Sequence, residues 1–200
     1  LDDGGWSSGG WISDSKIDGQ VRSGSQQQWI TRDSQIGSWS GANWNMVFVG
    51  VKGAPGTSFP NPPYTNVGTA PITREKPFLY IDSAGVYQVF VPGVRTNSSG
   101  ASWTSGNTPG TSIPLGQFFI AKPGATAADM NAALAAGKNL LVTPGVYHLN
   151  QTLNVTRPNT VVLGLGLATL VPDNGITAMN VADVDGVRLA GLLVDAGAAD

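Results

Sequence analysis

Of the 200 residues, 27 are Gly and 13 Pro, so one fifth of the chain favours turns, and 12% is charged. A 41% hydrophobic content is enough to bury a core, which argues for a folded, turn-rich chain of one large domain or two small ones. The balance of 11 basic and 13 acidic residues, without a basic run, excludes the electrostatic footprint of a nucleic-acid binder. The longest apolar stretch, Thr160–Val171, is too short and too interrupted by Gly to span a bilayer. The absence of Cys excludes thiolate chemistry and Cys-based zinc sites, and a single His, His148, excludes a multi-histidine metal site. The acids are lopsided: Glu75 is the only Glu, so a mechanism built on a Glu pair is incomplete here.

Residues 1–52 read as short β-prone runs broken by Gly and Ser: Trp11–Ile17, Gln28–Arg32 and Trp44–Val49. Their starts lie 15–18 residues apart, the spacing of rungs in a parallel β-solenoid. Residues 53–115 hold most of the Pro. They carry a hairpin, Phe78–Asp82 and Val86–Val91 joined by Ser83-Ala84-Gly85, and suggest a folded connector. From residue 116 a helix is expected over Met130–Ala136, opened by the capping box Thr126-Ala127-Ala128-Asp129 and closed by Gly137. Strand-like runs follow at Asn139–Val142, Val146–Leu149, Thr152–Val155, Thr160–Leu163, Thr169–Val171, Ala178–Val181 and Val187–Val194. Leu140, Val161 and Val187 open runs 21 and 26 residues apart, again a solenoid interval. A helix ahead of the first rung would cover the open end of the stack.

The expected fold is mainly β, a right-handed parallel β-helix of the pectate-lyase-like kind. Residues 1–52 would be the last rungs of one β-helix, 53–115 the connector, and 116–200 a capping helix with the first rungs of another. The chain starts mid-pattern at Leu1-Asp2-Asp3-Gly4 and stops at Ala198-Ala199-Asp200 while the repeats continue. It is therefore expected to be an internal segment, with the rest of the same polypeptide as its first partner.

Several strings carry a family resemblance: Gly24-Ser25-Gln26-Gln27-Gln28-Trp29-Ile30-Thr31-Arg32, Trp44–Gly50, Arg74–Tyr80, Leu141–Tyr147 and Leu163–Pro172. They resemble an actinobacterial group of secreted tandem β-helix proteins, often labelled as discoidin-type or "adenylyl cyclase" proteins. The core of that group is similar to glycoside hydrolase family 55, the β-1,3-glucanases. The cyclase label finds no phosphate-cradling Gly loop or metal-carboxylate pattern here. The resemblance implies two β-helices with a polysaccharide or oligosaccharide substrate between them, exo-acting inverting cleavage, extracellular action, and no cofactor, nucleic acid or membrane. It also implies a general acid late in the second β-helix, hence beyond residue 200, with Gln and Ser side chains of the first positioning the water. An inverting pair of carboxyls stands about 6.5–9.5 Å apart.

Against that expectation the residues offer Gln27 and Gln28, with Ser25 as companion, as water-positioning catalytic groups, since amides hold a water or hydroxyl without changing charge. The competing reading is a polar ladder along the solenoid. Five of the six Trp fall at Trp6, Trp11, Trp29, Trp39 and Trp44. Trp39, Trp29 and Trp44 are the candidate sugar platforms, with packing inside the rungs as the alternative. Asp14/Asp18 and Asp183/Asp185 form possible carboxylate pairs, the second more simply a turn. Arg74-Glu75-Lys76 reads as a structural ion cluster, and His148 as a surface or structural His. Two rival functions stay open: a polysaccharide lyase on the same fold, and a non-catalytic glycan-binding or adhesion solenoid.

Overall fold

The computed structural model describes residues 8–106 and 108–196. In chain order the strands are β1 (Gly10–Ser13), β2 (Lys16–Arg22), β3 (Gln28–Arg32), β4 (Gln35–Ser40), β5 (Asn45–Val49), β6 (Tyr64–Val67), β7 (Ala70–Arg74), β8 (Phe78–Ile81) and β9 (Tyr87–Pro92). There follow β10 (Val94–Ser98), β11 (Gly110–Pro114), β12 (Phe118–Ala121), the helix α1 (Ala127–Ala135), β13 (Asn139–Val142) and β14 (Gly145–Leu149). The last are β15 (Leu153–Val155), β16 (Val161–Pro172), β17 (Met179–Val181) and β18 (Arg188–Val194). These elements divide into two compact units, Leu1–Glu75 with Pro92–Gly110, and Lys76–Val91 with Thr111–Asp200.

The first unit is a parallel β-coil. Strands β1, β3, β5 and β6 stack in parallel register as one sheet, while β2 and β4 stack as a second. The chain turns from one sheet to the other at Asp14, Asp33 and Gly50, all at positive φ (46°, 44° and 64°). The register aligns Ser13, Arg32 and Val49, so these three residues occupy the same corner on successive rungs. Asp and Gly tolerate left-handed backbone better than branched residues do, which is why this corner recurs as Asp-Ser, Asp-Ser and Gly-Val. The expected strand Trp11–Ile17 is thus two strands broken at Asp14. Strict alternation along β3 and β5 turns Trp29, Met46 and Phe48 inward, where they meet Ile36 and Trp39 of β4. The rings form a chain of edge-to-face contacts: Trp29–Trp39 at 5.5 Å, Trp39–Phe48 at 5.1 Å and Phe48–Tyr64 at 6.1 Å.

The second unit repeats the principle. β12, β13, β16 and β18 run parallel, with Phe119, Leu140 and Val162 stacked inward along one column. β16 absorbs what the sequence suggests are two runs: its first half pairs with β13 and its second half with β14. A register shift between Leu163 and Ala168, with Gly166 and Leu167 at positive φ, bends it between them. Helix α1 carries the capping box expected at Thr126 and Asp129, and buries Ala127, Met130 and Leu134 in the coil's core.

The stretch 53–115, expected as a connector, is divided between the units. β6 is a strand of the first coil, and β7 and β10 form an antiparallel pair in the first unit. β8 and β9 pair antiparallel, as the hairpin pattern predicts, and β11 extends their sheet. That sheet packs on the outer face of the second coil, where Val89 is fully buried among Phe118, Leu141, Val161 and Leu163. The hairpin turn is fastened by Asp82, whose carboxylate accepts from the amides of Ala84 and Val86 and from Gln88 Nε2. The Val86 and Gln88 bonds hold this carboxyl below the usual aspartate range. Because the folded value is depressed, the turn's stabilisation is full above the unfolded aspartate pKa and is lost as pH falls through the folded one. The protection factors of the Ala84 and Val86 amides, taken against their intrinsic rates, are therefore expected to hold at neutral pH and to fall only under strongly acidic conditions. Unchanged protection through the acid limb would refute this fastening.

Candidate functional site

The groove that brings sequence-predicted residues together lies in the first unit, across β1, β3 and β5. It encloses about 420 Å³. Gln28 and Ile30 reach it from β3, Asn45 and Val47 from β5, and Trp44 from the turn before β5. Two glycines let the β1 side pack closely against β3. A Cβ on Gly10 would sit 2.6 Å from the Trp29 ring, and one on Gly9 would strike the Gln28 carbonyl. Trp29 contributes to the wall beside Gly10 while remaining 9% exposed and part of the core. Trp44 is 58% exposed. Among the described residues, no ionisable side chain lines the groove.

The loop ahead of β3 builds this wall mainly through its backbone. The Gln27 carbonyl accepts from the amides of Trp44 and Asn45, and the Ser25 carbonyl accepts from Asn43 Nδ2. Gln26 is buried and its Oε1 accepts from the Gly9 amide, tying β1 to the rung below. Of the run of three Gln, only Gln28 presents its side chain to the groove.

Among the expected platforms, Trp39 is corrected to a core residue. It is 9% exposed, packs edge-on against Trp29 and Phe48, and donates its indole N–H to the Gly41 carbonyl at 2.9 Å. Its position in β4 turns it into the coil, since inward placement alternates with the exposed Ser38. Trp6 lies outside the described residues, as do Leu1–Gly4 and Ala198–Asp200.

Asp14 binds the amide and hydroxyl of Ser102, Asp18 lies 3.5 Å from Lys16, and the Asp185 carbonyl accepts from the Asn159 amide in a turn. Glu75 finds its partner across the fold rather than in its neighbours Arg74 and Lys76. Arg32 donates to it twice, at 2.7 and 3.0 Å, and to Asp33 at 2.7 Å. Hydrogen bonding to Glu75 raises the Arg32 pKa above its ordinary value, against the opposing effect of burial. His148 Nδ1 lies 2.9 Å from Asp173 Oδ1, in a second hollow of about 400 Å³ beside the start of α1. Among the described residues, no group of three His, Asp or Glu side chains is placed to hold a metal ion. Asn45 is the groove residue that sequence reasoning missed. Its signal was present, because Trp29-Ile30 and Met46-Val47 are equivalent pairs, each preceded by an amide residue.

Stacked parallel strands with inward apolar columns define a pectate-lyase-like β-helix protein. Residues 118–200 match the family model described as LAM55 pectate lyase-like domain. An exo-β-1,3-glucanase of Streptomyces sp. (strain SirexAA-E / ActE) is 61% identical over 193 residues, 96% of this chain and 32% of that protein. The solved structure of sacteLam55A from Streptomyces sp. SirexAA-E matches with a TM-score of 0.93 at 60% identity, over 98% of this chain and 35% of that one. A variant of sacteLam55A in complex with glucose matches with a TM-score of 0.92 at 61% identity, over 96% of this chain and 35% of that one. The chain is similar to the glycoside hydrolase family 55 proteins and spans about a third of the length of these relatives.

Proposed function

We propose that the protein to which this chain belongs is an exo-acting, inverting glycoside hydrolase of β-1,3-glucan that works outside the cell. The observation that carries this reading is the 61% identity, sustained over 193 residues, to a protein named exo-β-1,3-glucanase. The uncharged groove supports it. Carboxamides of Gln28 and Asn45 are able to donate to and accept from sugar hydroxyls or a water, and Trp44 offers an exposed ring face for a pyranose. Ser25 and Gln27 serve the same groove through their carbonyls, which fix the turn carrying Trp44 and Asn45.

An inverting reaction needs an acid to protonate the leaving oxygen and a base to activate water from the opposite face. Among the described residues no carboxylate lines this groove, so in this reading both groups come from other parts of the protein. The test is a panel of β-1,3-, β-1,4-, α-1,3-linked and uronic-acid polysaccharides given to the full-length protein, with reducing ends and ultraviolet absorbance followed together. Reducing sugar from β-1,3-glucan, with the anomer of the released glucose opposite to that of the bond cleaved, is the expected result. Unsaturated products from a uronate polymer would replace the hydrolase with a lyase, and binding without turnover would leave a glycan-binding solenoid. The 200-residue chain by itself is expected to release no sugar.

A further inference from the structure

We infer that Asp14 and Ser102 are positioning residues: together they latch the β1 wall of the groove through a strap, residues 98–103, that crosses the corners of the first coil. The link to substrate rests on the saccharide reading above; the latch itself does not. The strap reads Ser-Ser-Gly-Ala-Ser-Trp, small up to its last residue, and Ser98, Gly100, Ala101 and Ser102 are all buried. Small residues let one backbone lie directly on another. The strap begins at the corner of the third rung, where the Gly100 amide donates to the Gly50 carbonyl at 2.8 Å. A Cβ on Gly50 would stand 2.5 Å from the Ser98 carbonyl oxygen, so this corner has no room for the Asp found at the other two. The strap ends at the corner of the first rung. There Ser102 gives its amide and its hydroxyl to the two carboxylate oxygens of Asp14, and Trp103 donates its indole N–H to the Asp14 carbonyl at 2.9 Å.

The strand held in this way has few other anchors. β1 is four residues long and, among the described residues, is the end strand of its sheet, paired only with β3. Its start is tied by the Gly9 amide to Gln26, and its end by Asp14 to the strap. An extended backbone is already near full reach and has no slack to absorb a shift. Movement at Asp14 is therefore passed along β1 to Gly9 and Gly10, which line the groove against Gln28 and Trp29. Charge-assisted hydrogen bonds such as those to Asp14 are the strong kind, so their loss is felt at the far end of the strand.

The experiment combines hydrogen exchange, read by mass spectrometry, with steady-state kinetics on β-1,3-gluco-oligosaccharides, both in the full-length protein. Asp14→Gly is the decisive variant, because glycine keeps the φ of 46° without strain and removes the carboxylate alone. Exchange in peptides covering β1 and the strap should rise about tenfold while β3 and β5 stay as they were. KM should rise about three- to tenfold with kcat retained. Ser102→Ala should move exchange and KM in the same directions by less. Asp14→Asn, whose amide accepts from the Ser102 N–H and donates to its hydroxyl, should restore both. Asp18→Asn, which removes a carboxylate of the same coil outside the latch, should leave both at wild-type values. Unchanged exchange in β1 of Asp14→Gly, or a rise spread equally over β3 and β5, would overturn the latch. Loosened β1 with an unchanged KM would overturn the positioning role. If the wild-type protein cleaves no β-1,3-glucan, the hydrolase reading fails and the exchange pattern alone decides the latch.

Discussion

Phe48→Ala is expected to lower the free energy of unfolding by about 3–5 kcal/mol, the range for deleting a fully buried ring. Phe48 has no exposed surface and stands in the middle of the aromatic chain, edge-on to both Trp39 and Tyr64. The loss goes beyond transfer of one ring, because its neighbours are pinned and unable to close the gap. Trp39 Nε1 and Tyr64 Oη both donate to the Gly41 carbonyl, at 2.9 and 3.3 Å, which fixes the rings on either side of the cavity. On the backbone, Phe48 lies between Thr31 of β3 and Asn66 of β6, so no strand can slide inward without breaking two ladders. Denaturant unfolding followed by tryptophan fluorescence measures the change, since Trp29 and Trp39 report on this core. A loss below about 1 kcal/mol would show that the coil collapses around the hole and that the pinning is ineffective.

Arg32→Ala is expected to cost a comparable amount, about 3–5 kcal/mol, by leaving a buried charge without its partner. The Asp33 side chain is wholly buried, and that of Glu75 is 10% exposed. Arg32 bonds both oxygens of Glu75 and Oδ2 of Asp33, while Arg95 pairs with Asp33 Oδ1 only at 3.9 Å, beyond hydrogen-bonding range. The cluster joins the end of β3 to the residue following β7, so its loss also removes one tie between the β7–β10 pair and the coil. The charge argument has its own check. Adding Asp33→Asn to Arg32→Ala removes the stranded charge while keeping a residue that tolerates φ of 44°, and should recover a large part of the loss. No recovery would assign the effect to packing of the Arg32 stem instead.

Both predictions concern the scaffold on which the groove is built. The cluster that Arg32 anchors closes one end of β3, and Gln28 opens the other. Weakening the coil should therefore also blunt saccharide binding, whereas Trp44→Ala should weaken binding without lowering stability.

Much of this was legible in local pattern. The capping box at Thr126 and Asp129, the strands Gln28–Arg32 and Asn139–Val142, and the Phe78–Val91 hairpin depend on short-range backbone chemistry and period-two alternation, and each is where the sequence places it. Rung spacing also marked both ends of the chain as solenoid. Less visible were β4, which mixes Gly and Ser with its two buried apolar residues, and the corner at Asp14, Asp33 and Gly50. That corner is Asp-Ser on two rungs and Gly-Val on the third, so only a backbone angle is common to all three.

The amino-acid sequence by itself determined the parallel coils and the helix at the head of the second, because these follow from spacing, alternation and capping chemistry. Tertiary structure alone decided the fate of individual side chains. Trp29, Trp39 and Trp44 sit in similar Ser- and Gly-rich surroundings, yet one shares core and groove, one is sealed in the core and one stands in water. Which face of a strand turns inward depends on where its neighbours begin, and that is set by corners and register rather than by the residue. Tertiary structure likewise gave Glu75 its distant partner Arg32, and laid the hairpin against the outer face of the second coil. A charge and an apolar face are each satisfied by whatever the fold brings within reach.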